Sequence, residues 1–252
     1  DESWGGVEAF YVPLVGQIVL RPRWFAPTVD GLWAQAVHNG QELALRITWH
    51  DPSASPDSTW QEWLDLVSAS LTDADGPIPN VQGPDRLHVQ FPVQLPEGLE
   101  RPYFLGGDRK NPVEIWRWTS TPDRMEVGTA TGLDAFAPGA AGDLVHAARY
   151  DAGEWRLQLT RPLAAQDPTA SLAMVPGRTI PIAFFAADGS NGEEGFRGSV
   201  SAWYGIYLDV PTPARAYVTP VLAMILTAVL GMTVVLRAQR RHSSGSNGKE
   251  MS

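Results

Sequence analysis

From Ala216 to Leu236 the chain runs for 21 residues without a charged side chain, and that run constrains everything else in it. An α-helix rises 1.5 Å per residue, so about 20 apolar residues match the hydrocarbon thickness of a bilayer. The spacing predicts a transmembrane helix over 216–236, preceded by a linker at 210–215 and followed by a basic tail at 237–252. A buried core helix is the competing reading, disfavoured by the length of the run. Tyr217 stands at one end as an interfacial aromatic, and Arg237, Arg240, Arg241 and Lys249 follow the other. By the positive-inside rule the C-terminus is expected in the cytoplasm and residues 1–209 on the outer, periplasmic or extracellular, face of the cytoplasmic membrane. With no leader segment ahead of it, an outer domain opening at Asp1 reads as the mature form of an exported chain.

Residues 1–236 carry 15 Lys and Arg against 27 Asp and Glu, a net charge of −12. An acidic domain of this kind disfavours nucleic acid and anionic lipid headgroups as partners and is compatible with a basic soluble one. The absence of cysteine excludes disulfides, thiolate metal sites, iron-sulfur clusters and the CxxCH attachment of c-type haem. Any haem carried here is therefore non-covalent.

Ahead of the membrane run, apolar residues alternate in short stretches separated by Gly, Pro, Asn and Asp, the pattern of an all-β, antiparallel β-sandwich. Strands are expected near 9–20, 32–38, 42–49, 85–91, 113–119, 143–150, 155–160, 180–187 and 199–208. Asn39-Gly40 reads as a two-residue type I′ hairpin turn and Asp151-Ala152-Gly153-Glu154 as a longer one. Trp60, Trp63, Leu64, Val67 and Leu71 have helical spacing and predict one short amphipathic helix, entered from Asp57 or Ser58 as N-cap.

The passage from Asp85 to Trp118 carries the best functional clue. A strand ending in Phe91-Pro92 leads through the turn Gly107-Asp108 to a second strand, whose Trp116 and Trp118 share one face and could wall a flat ligand. This passage resembles the haem b-binding domain of the gamma subunits of type II enzymes of the DMSO reductase family, such as ethylbenzene and dimethylsulfide dehydrogenases and selenate and chlorate reductases. Further segments resemble the family in the same order. They are Asp30-Gly31-Leu32-Trp33, His38 to Arg46 with Trp49-His50-Asp51-Pro52, Gly153 to Leu157, Arg161-Pro162-Leu163, Ile180 to Phe185 with Asp188-Gly189-Ser190, and Ser199 to Trp203. Together they cover roughly residues 8–209.

The resemblance implies a non-catalytic electron-transfer subunit carrying haem b. Its partners would be molybdopterin and iron-sulfur subunits of a membrane redox complex or, by similarity to membrane-attached mono-haem b cytochromes, a quinol-oxidising complex. In the family, iron is held by a Met just before the Gly-Asp turn and a Lys shortly before the Ser-x-Trp strand. Here those places fall at Leu105 or Gly106 and at Arg197 or Gly198, none of which is a usual ligand.

Donors that could ligate iron elsewhere are few: His38, His50, His88 and His146, Met125 and Met174, and Lys110. His88 is the first candidate, on the strand face opposite Leu87, Val89 and Phe91; a hydrogen-bonded surface histidine is the alternative. His146 has the same ambiguity. Met125 and Met174 also read as core filler, Lys110 as a solvated turn residue, and Trp116 and Trp118 as sandwich core. No GxSxG, HExxH, P-loop or GxGxxG motif is present, so no catalysis is assigned. Acidic groups such as Asp73-Ala74-Asp75 and Glu193-Glu194 read as solvated loop residues or weak calcium ligands. Two other classes of function stay open. One is a haem-less membrane-anchored scaffold for such a complex; the other is a carbohydrate-binding module, which requires several Trp exposed on one face.

Overall fold

The structure, a computed structural model, describes residues 4–57, 59, 62, 66, 82–96, 100–132, 135–140, 142–210 and 215–246. The chain falls into two compact units, Asp1–Asp209 and Val210–Ser252. The first is built from antiparallel strands in two sheets. Strands β1 (Phe10–Pro13), β3 (Gly31–His38), β4 (Glu42–His50), β10 (Glu154–Pro162) and β9 (Val145–Asp151) form one sheet, in the order β1-β3-β4-β10-β9. The other has the order β2-β12-β11-β5-β6-β7-β8. Its members are β2 (Val15–Gly16), β12 (Ser199–Val200), β11 (Thr179–Ala187), β5 (Arg86–Pro92), β6 (Val113–Thr119), β7 (Arg124–Ala130) and β8 (Phe136–Pro138), and β13 (Tyr204–Tyr207) also pairs with β11. The expected all-β antiparallel architecture is present.

Period-two alternation produces the core. In β4, Leu43, Leu45, Ile47 and Trp49 point inward, and in β10 Trp155, Leu157 and Leu159 do so. Leu87, Val89 and Phe91 of β5, Trp116 and Trp118 of β6, and Ile180, Ile182 and Phe184 of β11 meet them from the second sheet. Trp49, Trp118 and Trp155 form the densest knot: Trp118 lies 5.6 Å from Trp49 and 4.9 Å from Trp155, both edge-on. Each such ring buries on the order of 150–250 Å², roughly 4–6 kcal/mol of gross hydrophobic stabilisation.

Four local expectations change. The single strand expected over 9–20 breaks at buried Leu14, because β1 pairs with β3 of one sheet while β2 pairs with β12 of the other. A strand that changes sheets closes a sandwich corner. The stretch 199–208 likewise divides into β12 and β13. Both hairpin turns differ from the expectation, and both are two-residue loops. Asn39 and Glu42 face each other, leaving Gly40-Gln41 as the loop with positive φ at Gly40 alone, which excludes type I′. Between Asp151 and Glu154 the loop is two residues, Ala152 (φ 52°) and Gly153 (φ 85°), as type I′ requires. Last, β7 and β8 were not expected. Gly128 of β7 lies against β8 so closely that a Cβ would fall 2.3 Å from the Ala137 carbonyl oxygen.

The short helix expected around Trp60, Trp63, Leu64, Val67 and Leu71 lies outside the described residues, as do Asp73 and Asp75. The second unit contains helix α1, Arg215–Ser246, with an apolar span of 23 residues from Ala216 to Ala238 that is long enough to cross a membrane. The helix continues beyond Leu236 because Arg237, Ala238, Gln239, Arg240 and Arg241 are all strong helix formers.

Candidate functional site

Strands β5, β6 and β11 are buried on both faces over much of their length. Their second face is covered by the loop around Tyr103, Phe104 and Leu105, whose side chains pack with Phe185, Ala187 and Val200. Trp203 Nε1 donates to the Pro102 carbonyl at 2.7 Å and ties that loop down. The turn that follows is set by Gly107 N–H bonding to Tyr103 O, and by Asp108 Oδ1 accepting from the Lys110 and Asn111 N–H groups at 2.9 Å each.

Beneath this cover is a cavity of about 330 Å³. Its floor is the outward face of the sheet: Arg86, His88 and Gln90 of β5, Ile115 and Arg117 of β6, and Phe185 of β11. Phe104, Leu105 and Gly106 close one side, and Gly195 and Phe196 the other. Leu105 and Gly106, one of the two places where the resembled family carries an iron ligand, line this cavity, whereas Arg197 and Gly198, the other place, follow the lining residues Gly195 and Phe196 and do not line it. His88 is the only imidazole, thioether, amine or phenol among the described lining residues. The His88 ring stacks on Phe185 at 4.8 Å and makes no hydrogen bond among the described residues. Burial, with Arg117 and Arg86 adding to it, holds its pKa well below the usual histidine range, so the ring is neutral.

The two guanidinium groups differ. Arg86 donates to the carbonyls of Gly195 (2.9 Å) and Glu193, and these bonds brace the 193–197 loop. Arg117 lies over the Phe136 ring at 3.6 Å, and its buried Nε has no partner. Desolvation lowers the pKa of both. Glu126, paired with Arg117 across the strands, also lines the cavity with Thr119, and the Arg117 Nε left without a partner among the described residues is the donor there that a ligand carboxylate can use. Gln90 bonds both Phe104 O and Gly106 N–H, fixing the cover to the floor.

The other candidate residues go elsewhere. Trp116 and Trp118 pair with Val89 and Leu87 on the opposite face of the sheet, so they are core and not walls of this cavity. Trp116 lines a second cavity of about 310 Å³. Beside it the buried Glu114 accepts from Arg161 at 3.1 Å, Trp116 Nε1 at 2.8 Å and Leu172 N–H at 3.0 Å. His146 lies on β9 in the other sheet, 3.1 Å from Asp123 Oδ1. Met125 is on β7 opposite Trp118 and packs on the main core, and Met174 is buried in it. Lys110 is exposed and paired with Glu100 at 2.6 Å. Glu193, expected in solvent, is instead buried and receives Asp188 N–H, Trp24 Nε1, Thr28 N–H and Asn191 Nδ2. Among the described tryptophans only Trp33 is exposed, with Tyr11 5.0 Å away.

Arg86, Gln90 and Arg117 were legible from alternation: the period that turns His88 outward turns Arg86 and Gln90 with it, and Arg117 lies between two inward tryptophans. Phe185 needed the tertiary pairing, since its partner across the sheet is His88.

No family model matches the chain. Among curated proteins it is 25% identical over 241 residues to ORF7 of Haloferax mediterranei, named as a respiratory nitrate reductase heme subunit, covering 93% of this chain and 75% of that one. It is 29% identical over 175 residues to the chlorate reductase subunit gamma of Ideonella dechloratans, covering 69% and 63% of the two chains. To the dimethylsulfide dehydrogenase subunit gamma of Rhodovulum sulfidophilum it is 24% identical over 206 residues, covering 77% and 68%. Among solved structures, a family 9 carbohydrate-binding module of Caldicellulosiruptor kristjanssonii with glucose matches at a TM-score of 0.43 and 10% identity, over 85% of this chain and 91% of that one. The resemblance read from the sequence is thus met by the curated relatives: over most of its length the chain is similar to heme and gamma subunits of respiratory reductases and dehydrogenases.

Proposed function

We propose that this chain is a membrane-anchored electron-transfer subunit of a respiratory redox complex, and that its cavity takes haem b with His88 as an iron ligand. The observation that carries the reading is one neutral imidazole, without a hydrogen bond among the described residues, in a cavity lined by one of the family's two ligand positions, Leu105-Gly106. The remaining residues fit except Glu126, whose carboxylate stands beside Arg117. Phe104, Leu105, Ile115, Phe185 and Phe196 would exclude water from a bound macrocycle, Phe185 stacks on the imidazole and would hold its orientation, and Arg117 Nε would offer a donor to a carboxylate of the group. Haem b, when bound, supplies a one-electron couple, and the chain's own residues do no bond chemistry. The partners would be catalytic and iron-sulfur subunits or a quinol-oxidising complex, with the first unit on the outer side of the membrane and the C-terminus of α1 in the cytoplasm.

A haem-less scaffold is the second reading, favoured by the absence of any usual donor at Leu105, Gly106, Arg197 and Gly198. The two separate in an ultraviolet-visible spectrum and pyridine haemochrome assay on the complex purified through this subunit. A b-type signal that His88→Ala abolishes supports the electron carrier. A signal untouched by that substitution overturns the ligand assignment, and no haem in the folded protein leaves the scaffold.

A further inference from the structure

Away from the cavity, three strand ends converge. Asp51 follows β4 of one sheet, Asp85 precedes β5 of the other, and Asp188 follows β11 beside it. All three are buried, and one carboxylate oxygen from each lies within 4.8 Å of the other two. Among the described residues no Lys or Arg forms an ion pair with any of them, although three carboxylates this close cannot all stay ionised without a countercharge.

The hydrogen bonds around the cluster are unequally shared. Asp85 is engaged at both oxygens: Oδ2 accepts from Ser55 N–H at 2.7 Å and Trp155 Nε1 at 3.0 Å, and Oδ1 from Gly189 N–H at 2.9 Å. Asp188 Oδ1 caps the following turn through the Ser190 N–H and hydroxyl, at 2.7 Å each. Asp51 Oδ1 accepts from Ser53 N–H at 3.2 Å, but its Oδ2 is fully buried with no hydrogen-bond partner among the described residues. The hydroxyl of Ser55, whose N–H holds Asp85, is likewise buried and without a partner among the described residues. An orphaned carboxylate oxygen costs about 1–3 kcal/mol or more. A cation does satisfy it. Calcium binds oxygen at about 2.3–2.6 Å, so two of its ligands lie at most about 4.6–5.2 Å apart, which accommodates the separation seen here.

We propose that Asp51, Asp85 and Asp188 form a calcium site that clamps the end of β4 to the adjoining ends of β5 and β11, joining the two sheets. Hard, all-oxygen ligation by three carboxylates selects calcium over zinc or copper, and the buried, multi-carboxylate geometry favours it over the smaller, water-retaining magnesium. The role is structural, since the cluster is separate from the His88 cavity.

The test uses the full chain in detergent, stripped of metal and titrated with terbium under tryptophan excitation, because Trp155 touches Asp85 and would sensitise a bound lanthanide. The expected result is saturable luminescence displaced by calcium, with a dissociation constant for calcium below about 1 mM, and a melting temperature that calcium in large excess raises by roughly 5–10 °C. Asp51→Asn should weaken calcium binding at least about tenfold and remove the thermal shift; Asp188→Asn serves the same purpose if the first variant misfolds. No sensitised luminescence and no calcium-dependent shift would overturn the proposal. So would equal binding in wild type and both variants, or a shift produced by magnesium and not by calcium.

Discussion

Two kinds of buried charge occur in the first unit, and the hydrogen bonds around them set their consequences. Glu114 and Arg161 form a complete network, in which every charged atom has a partner, drawn from the two sheets and from Ser171 and Leu172 in the loop that follows β10. Glu114→Ala would leave the Arg161 guanidinium, itself buried, without its counter-ion, and is expected to cost about 3–5 kcal/mol in urea or guanidinium unfolding. A loss below about 1 kcal/mol would mean that water replaces the carboxylate. The Asp51 cluster is the incomplete case. Burial first, then the neighbouring carboxylates, pushes the Asp51 carboxyl up to about 8, and burial pushes Asp85 up to about 6. Both are raised above the unfolded value near 4, so the folded state holds protons that the unfolded state has released. In calcium-free buffer, the stability these two carboxyls contribute should therefore be full at about pH 4 and be lost as pH rises through about 6 and 8. Asp51→Asn should flatten that decline, and denaturant midpoints measured across this range would check it; an unchanged slope would remove Asp51 as the cause. Neither cluster was legible from the chain. Asp85 and Asp188 are 103 positions apart, and no spacing rule connects them.

Strands that bury one full face announce themselves by alternation, and β4, β5, β6, β10 and β11 stand close to where that pattern places them. β7 is different. Arg124-Met125-Glu126-Val127-Gly128 has a glycine and two charges, so its place in the sheet comes from pairing with β6 and from the close approach of β8. The turns show how little local sequence distinguishes hairpin types. Asn-Gly favours type I′, but Asn39 Oδ1 instead accepts from the Gln41 and Glu42 N–H groups at 2.8 and 2.7 Å. That moves the loop on by one residue. Ala152 meanwhile occupies a left-handed conformation that costs an L-residue with a Cβ about 1–2 kcal/mol. Ala152→Asn, better suited to the first position of a type I′ turn, is expected to raise stability by about 0.5–1 kcal/mol in chemical denaturation. A destabilised variant would show that the turn differs from the one described.

Across the whole chain, the described core residues of the two-sheet unit all fall within Asp1–Asp209. Truncation after Asp209 is expected to give a protein extracted by carbonate without detergent that keeps the unfolding transition of the full chain. A truncated form that stays in the membrane pellet would point to attachment through a partner subunit. What could be read before any folding was whatever depends on near neighbours: the apolar run of α1, the alternation of the main strands, the outward face of His88, and the order of family-like segments. Hydropathy and strand period act over a few residues, so a single chain displays them directly. The three-dimensional arrangement alone decided that Trp116 and Trp118 fill the core, that His146 belongs to the other sheet, and that Leu105 and Phe196 enclose His88. It also gathered Asp51, Asp85 and Asp188 at one point. Those outcomes depend on which strand pairs with which and on the way loops close over a sheet, and long-range packing, not local preference, sets both.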